Sequence, residues 1–294
     1  MHNDKCRSRH LGLWAMTEYG LERWPGWYAA LHAVRTEGPL PNISAAASRR
    51  QQSEEPLYEV QSGMAIIGIN GPMMKGESKF GGANTVQIRQ ALRAAVSDES
   101  VKAVMLQIDS PGGSVAGTDE LGRDVAKADQ VKPVFAHIDD LGASAAYWVA
   151  SQARKITAGP AAEIGSIGVY AVVEDSSQAA AADGIKVHVV STGPMKGVMQ
   201  PGTEITPDQI AHLQERVDEM NGHFQMAIIR GRGDRITKAQ LKEASDGRVF
   251  GAADAKKLGL VDKIQSFDEA IANALPRKRI AAAIGVATRR IAGY

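Results

Sequence analysis

The chain has 294 residues, 44% of them hydrophobic and 23% charged, with a formal net charge of +1. That length can bury a real core, and so balanced a charge creates no global field for nucleic acid or a membrane surface. A single cysteine, Cys6, excludes an internal disulfide framework and fits a reducing compartment.

In chain order, the basic start "MHNDKCRSRHLGLWAMTEYG" has no apolar run behind it, as a secretory leader would. Residues 1–37 read as a Trp-rich appendage, partly helical in pattern, and the Pro/Ser/Ala stretch 38–56 as a linker. A compact domain is expected over 57–265, followed by a helix and basic tail over 266–294. Within the domain, "MAIIGIN" (64–70), "VKAVMLQID" (101–109), "KPVFAHI" (132–138), "KITA" (155–158), "IGVYAVV" (167–173) and "IKVHVVS" (185–191) read as strands. Between them, Ile88, Leu92 and Val96 make one helical face, and a helical run covers 116–129. Thr206 and Pro207 start a long helix whose stripe is Ile210, Leu213, Val217, Met220 and Phe224. Gly231 and Gly233 of "GRGDR" read as its stop signals. The alternation predicts an α/β fold with a parallel sheet. No stretch reaches the roughly 18–20 apolar residues that span a bilayer, "IAAAIGVA" (280–287) being far too short, so a cytoplasmic location is expected.

Three turns carry chemistry. In "DSPGGSV" (109–115) a strand runs into Gly112 and Gly113, whose amides can approach a substrate oxygen as in an oxyanion hole; a tight strand-to-helix turn is the bland alternative. In "GASAAYWVASQ" (142–152) Ser144 stands among small residues at a helix start, either as an N-cap or as a nucleophile presented at the edge where α/β sheets build their sites. A serine nucleophile needs a base. His137, His188, His212 and His223 have no evident orienting carboxylate. Lys196, in the Gly/Pro-shaped loop "STGPMKGVMQPGT" between methionines, is the other candidate, because apolar surroundings disfavour an ammonium. Read in isolation it is a surface lysine, and Ser166 in "EIGSIGVY" is a turn serine.

Taken together, "DSPGG", "ASAAYWVAS", "IGSIGVY", "STGPMKG" and "DGRVFGAADAKKLGLVDKI", spread over about 60–265, resemble the signal peptide peptidase A (protease IV) family of serine peptidases in the Clp protease/crotonase superfamily. The resemblance implies a Clp protease/crotonase-like superhelix of ββα units with one catalytic domain. It gives Ser144 the role of nucleophile, Lys196 that of general base in a Ser-Lys dyad, Ser166 that of the lysine's hydrogen-bonding support, and Gly113 with Gly112 that of oxyanion donors. Where the family commonly has two glycines after the nucleophile, this chain has Ala145 and Ala146. The layout is similar to that of phage head-maturation proteases, which implies capsid maturation as the role and scaffold, portal or capsid proteins as partners. A bacterial peptidase that degrades signal peptides is the alternative in the same family. A crotonase-like acyl-CoA enzyme and a non-catalytic capsid scaffold are rivals of other classes. Family likeness further implies a homo-oligomeric ring in which neighbouring subunits can complete the dyad. No cofactor, metal or nucleic acid is expected.

Overall fold

The computed structural model describes residues 14–16, 57–76 and 82–274. The linker 38–56, most of the N-terminal appendage and the basic tail beyond 274 lie outside the described residues. Three parallel strands form the spine: β3 (Met64–Asn70), β6 (Ala103–Ser110) and β8 (Val134–Ala143). In this family of ladders Ile67 pairs with Leu106, and Leu106 with Ala136. The short strand β2 (Glu59–Gln61) lies antiparallel on the outer edge of β3.

Strand β8 forks. Its first half pairs with β9 (Lys155–Ala158), which in turn pairs with β12 (Lys263–Ile264). Its last residues pair in parallel with β10 (Glu163–Gly165), which carries the antiparallel strand β11 (Val249–Gly251). A second sheet has the order β1 (Trp14–Met16), β7 (Gly112–Ser114), β4 (Met73–Met74) and β5 (Ala83–Asn84).

Side chains alternate across the spine, so one register feeds two cores. Ile67, Ile69, Leu106, Ile108, Ala136 and Ile138 face the main core. Against that face pack α1 (Thr85–Ser97), capped by the Asn84 side chain, α2 (Thr118–Val131) and α3 (Ala145–Ala150). Met64, Ala103, Met105 and Phe135 face the other way, where α8 (Phe267–Ala274) covers them with Ala270 and Ile271. Burial on both faces explains why these strands read as continuous apolar runs.

Two sequence-based strands do not form. Neither 167–173 nor 185–191 is a ladder strand; β10 ends at Gly165, and the only helix of this region is α4 (Ser177–Ala182). The reason is visible in burial. Val172, Val189 and Val190 are exposed, Val190 by 97%, so the alternation in "IKVHVVS" faces no core among the described residues. Within the N-terminal appendage the described residues Trp14–Met16 form a strand.

The long helix α5 (Pro207–Arg232) begins at Thr206 with a reciprocal capping box to Gln209. Its stripe is only partly used. Phe224, Ala227 and Ile228 are buried, whereas Ile210 is exposed and Leu213, Val217 and Met220 are half-buried. Gly231 is not a stop signal. It lies inside the helix, where a Cβ would fall 2.0 Å from the Ser151 carbonyl oxygen, and Gly233 is the C-cap. The chain continues through α6 (Lys238–Ala244) and α7 (Ala252–Lys257) to the last strand and α8.

Candidate active site

The carboxyl ends of β6, β8 and β10 converge, the edge at which open α/β sheets build their sites. Ser110 pairs with Gly142, and Ala143 with Gly165, so the chain leaves three neighbouring strands at one level. Ser144 comes immediately after β8 with φ 54° and ψ −120°, a backbone conformation that costs a non-glycine residue on the order of 1–3 kcal/mol. Its amide donates to the Gly165 carbonyl at 2.7 Å, and its carbonyl accepts from the Trp148 amide at 2.8 Å as α3 starts.

Ser144 holds the N-cap position, yet its side chain makes no capping bond. The Oγ is buried and has no hydrogen-bond partner. An unpaired buried hydroxyl costs about 1–3 kcal/mol, so two unfavourable features meet on one residue. The surroundings hold it there. Every residue of α3 is buried, Trp148 stacks on Phe224 with centroids 4.7 Å apart, and the Tyr147 hydroxyl donates to the Leu260 carbonyl at 2.9 Å. Behind Tyr147, the buried Arg232 donates to both carboxylate oxygens of Asp262, at 2.8 and 3.1 Å, and to the Gly259 carbonyl. Burial pushes the Asp262 carboxyl up, but the Arg232 guanidinium and the Ile156 amide outweigh it and hold the group below the ordinary range.

Ser166 stands in the equivalent place after β10. It too has a left-handed φ, 49°, and its amide donates to the Arg248 carbonyl at 2.7 Å. On the other side of Ser144, β6 bulges after Ile108 and turns into β7. Gly112 has φ 93°, and its amide donates to Ser110 Oγ at 3.2 Å, while Ser110 donates to the Gly71 carbonyl at 2.7 Å. Gly113 is flanked by the Met73 backbone so closely that a Cβ would fall 2.0 Å from the Met73 carbonyl oxygen. Only glycine fits that approach.

Lys196 makes no hydrogen bond to Ser144. It is exposed on the loop 191–203, with its backbone amide donating to Gly193. None of the four candidate histidines hydrogen-bonds Ser144 either. His188, His212 and His223 are exposed, and His137 is buried against Thr157 and Phe267 on the α8 side of the sheet. Ala145 and Ala146 are fully buried in the main core. Among the described residues no group of three or more His, Cys, Asp or Glu could hold a metal ion.

Sequence reasoning missed two features of the site. One is the left-handed φ shared by Ser144 and Ser166, for which the flanking glycines of "EIGSIG" were the available signal. The other is β1, which pairs antiparallel with β7: Trp14 opposite Ser114, Ala15 opposite Gly113, Met16 opposite Gly112. No local pattern could have announced a pairing across about a hundred residues.

A largely parallel sheet of this kind, with a buried serine at a strand-to-helix turn beside a glycine strand, defines an α/β fold of the Clp protease-like class. Residues 126–280 match peptidase family S49, and the chain belongs to that family. It is 30% identical over 212 residues to Protease 4 of Salmonella typhi, covering 72% of this chain and 34% of that protein. It is 27% identical over 220 residues to Capsid assembly protease C of Escherichia phage lambda, covering 73% of this chain and 49% of the phage protein. A putative signal peptide peptidase SppA of Enterococcus faecium is 26% identical over 235 residues, covering 78% of this chain and 68% of its own length. The chain thus spans about a third of the length of Protease 4. No helix of the described residues is long and apolar enough to cross a membrane.

Proposed function

We propose that the chain is a serine endopeptidase in which Ser144 is the nucleophile and Lys196 the general base. The observation that carries this reading is the Ser144 hydroxyl, buried and unpartnered on a left-handed residue at the strand edge, beside the glycine strand β7. Costs of that kind persist where a group is held ready for chemistry.

Neutral Lys196 takes the Ser144 proton as Oγ bonds to the peptide carbonyl carbon. The carbonyl electron pair moves onto oxygen, where the Gly113 amide, with Gly112 once its amide leaves Ser110, donates to the oxyanion. Collapse breaks the C–N bond, and Lys196 returns the proton to the departing amine. Water, deprotonated by Lys196, then attacks the ester and releases Ser144. Ser166 orients the lysine.

For this, Lys196 must be carried to Ser144. Support for a route comes from exposed apolar side chains in the same region of the sequence, Val172, Val189, Val190, Met195 and Ile210, and from the half-used stripe of α5. A second copy of the chain packed on this surface would desolvate the loop and complete the dyad, so the protein works as a homo-oligomeric ring. Its setting is capsid maturation, with scaffold, portal or capsid polypeptides as substrates, supported by the likeness to the lambda capsid assembly protease. The likeness to Protease 4 favours a second reading, a bacterial peptidase acting on cleaved signal peptides.

The test incubates wild type, Ser144→Ala and Lys196→Ala with unfolded casein and follows fragments by mass spectrometry. Loss of cleavage in both variants supports the dyad. Cleavage by Lys196→Ala at the wild-type rate overturns it.

A further inference from the structure

Strand β7 has two edges, and both are filled. On one side Met73 of β4 pairs with Gly113; on the other, β1 runs antiparallel along Gly112–Ser114. The second edge belongs to the strand that carries the proposed oxyanion amides. An extended polypeptide is expected to dock there by adding a strand, because an open edge offers an unpaired row of N–H and C=O groups. The chain's own residues Trp14–Met16 hold that place. In the same structure Ser144 has no exposed surface, so a peptide carbonyl cannot reach it without displacing what covers the site.

We infer that the N-terminal strand Trp14–Met16 is an in-cis occupant of the substrate edge, pairing with Gly112–Ser114 and holding the peptidase closed until a substrate displaces it. The inference rests on the peptidase reading for the word substrate, but the pairing itself does not.

Reach and strength both suit a competitor. The stretch 17–56, at about 3.3 Å per residue, is long enough when extended not to tie β1 to the edge by length alone. A tethered segment acts at an effective concentration of about millimolar, enough to block a dilute substrate. A strand of three residues makes few ladder bonds, so a longer peptide that pairs beyond Ser114 can displace it. Proline at position 15 would remove a backbone donor opposite Gly113 and disfavour pairing.

The experiment uses the full chain with Ser144→Ala, so that nothing is cleaved, and compares it with the same chain carrying Ala15→Pro or, separately, Met16→Pro. Amide hydrogen exchange over Gly113–Ser114 should quicken by about tenfold or more in the proline variants, while the Gly112 amide, held by Ser110, and the β6 amides stay protected as the folding control. Fluorescein-labelled casein should bind those variants about tenfold more tightly, the advantage expected on losing a tethered competitor. A synthetic peptide of residues 10–20 should restore protection. Unchanged exchange, or faster exchange with unchanged casein binding, overturns the inference. Protection that depends on protein concentration overturns the assignment in cis. An active-serine chain that cuts nothing in any form would sink the peptidase reading instead, and the exchange data would still decide whether β1 occupies the edge.

Discussion

Ser144 and Ser166 leave adjacent parallel strands at the same level, each with a left-handed φ, 54° and 49°, and the Ser144 amide donates to the residue just before Ser166. Two serines are thus brought side by side by register alone, one as a buried hydroxyl without a partner and the other at the mouth of the next strand. If Ser166 orients the base, Ser166→Ala should lower kcat on casein by less than Lys196→Ala does. Ser144→Ala should lower it by about 10^4-fold or more, as loss of a nucleophile does in other serine peptidases. Initial rates on a labelled casein substrate check all three.

The glycine strand leaves no room for change. In Gly113→Ala the new Cβ would fall 2.0 Å from the Met73 carbonyl oxygen, and backbone cannot yield as a side-chain tip does. Urea unfolding should show a loss on the order of 3 kcal/mol, among the larger effects of a single substitution. Gly112→Ala places a Cβ at φ 93° and should lose about 1 kcal/mol.

Arg232 and Asp262 lie behind the nucleophile helix as a bidentate pair, the arginine fully buried. Arg232→Ala leaves a half-buried carboxylate facing Tyr147 and the Ile156 amide, and should destabilise the protein by about 3–5 kcal/mol. Asp262→Asn in the same chain should recover part of that loss, because the stranded charge is gone. Denaturant midpoints of the two variants distinguish charge burial from lost packing.

His137 couples stability to pH. Burial lowers its pKa from the ordinary 6.5 to about 4, and its 3.5 Å approach to Asp139 does not reverse this. The unfolded chain therefore takes up the proton first as pH falls. Stability should decline from about pH 6.5 down to about 4, by on the order of 3 kcal/mol in total. Asp139, raised by burial, binds its proton more readily in the folded protein and offsets part of the decline at the acid end. His137→Gln should flatten the profile over that window, as read from thermal midpoints across pH.

Helix α5 offers a test of assembly. Val217 is half-buried on the part of the stripe that, unlike Phe224, is not buried among the described residues. Val217→Asp should leave the monomer folded but weaken association and casein cleavage together, measured by sedimentation velocity and initial rates. Cleavage at the wild-type rate by a monomer would remove the need for a ring.

By itself the sequence determined the spine and the local turns. "MAIIGIN", "VKAVMLQID" and "KITA" are strands because continuous apolar runs can only be buried on both faces, and Thr206–Pro207 starts a helix because capping is local chemistry. The candidate serines and glycines were legible for the same reason, since tight turns demand small residues at fixed places. Tertiary structure decided the rest. Alternation in "IKVHVVS" promises a strand, yet its valines are exposed, and Gly231, which reads as a stop, is a close approach to Ser151. The union of Trp14–Met16 with Gly112–Ser114, and the placing of Ser144 beside Ser166, depend on contacts between segments far apart in the chain. Local propensity carries no information about such contacts; packing and register do.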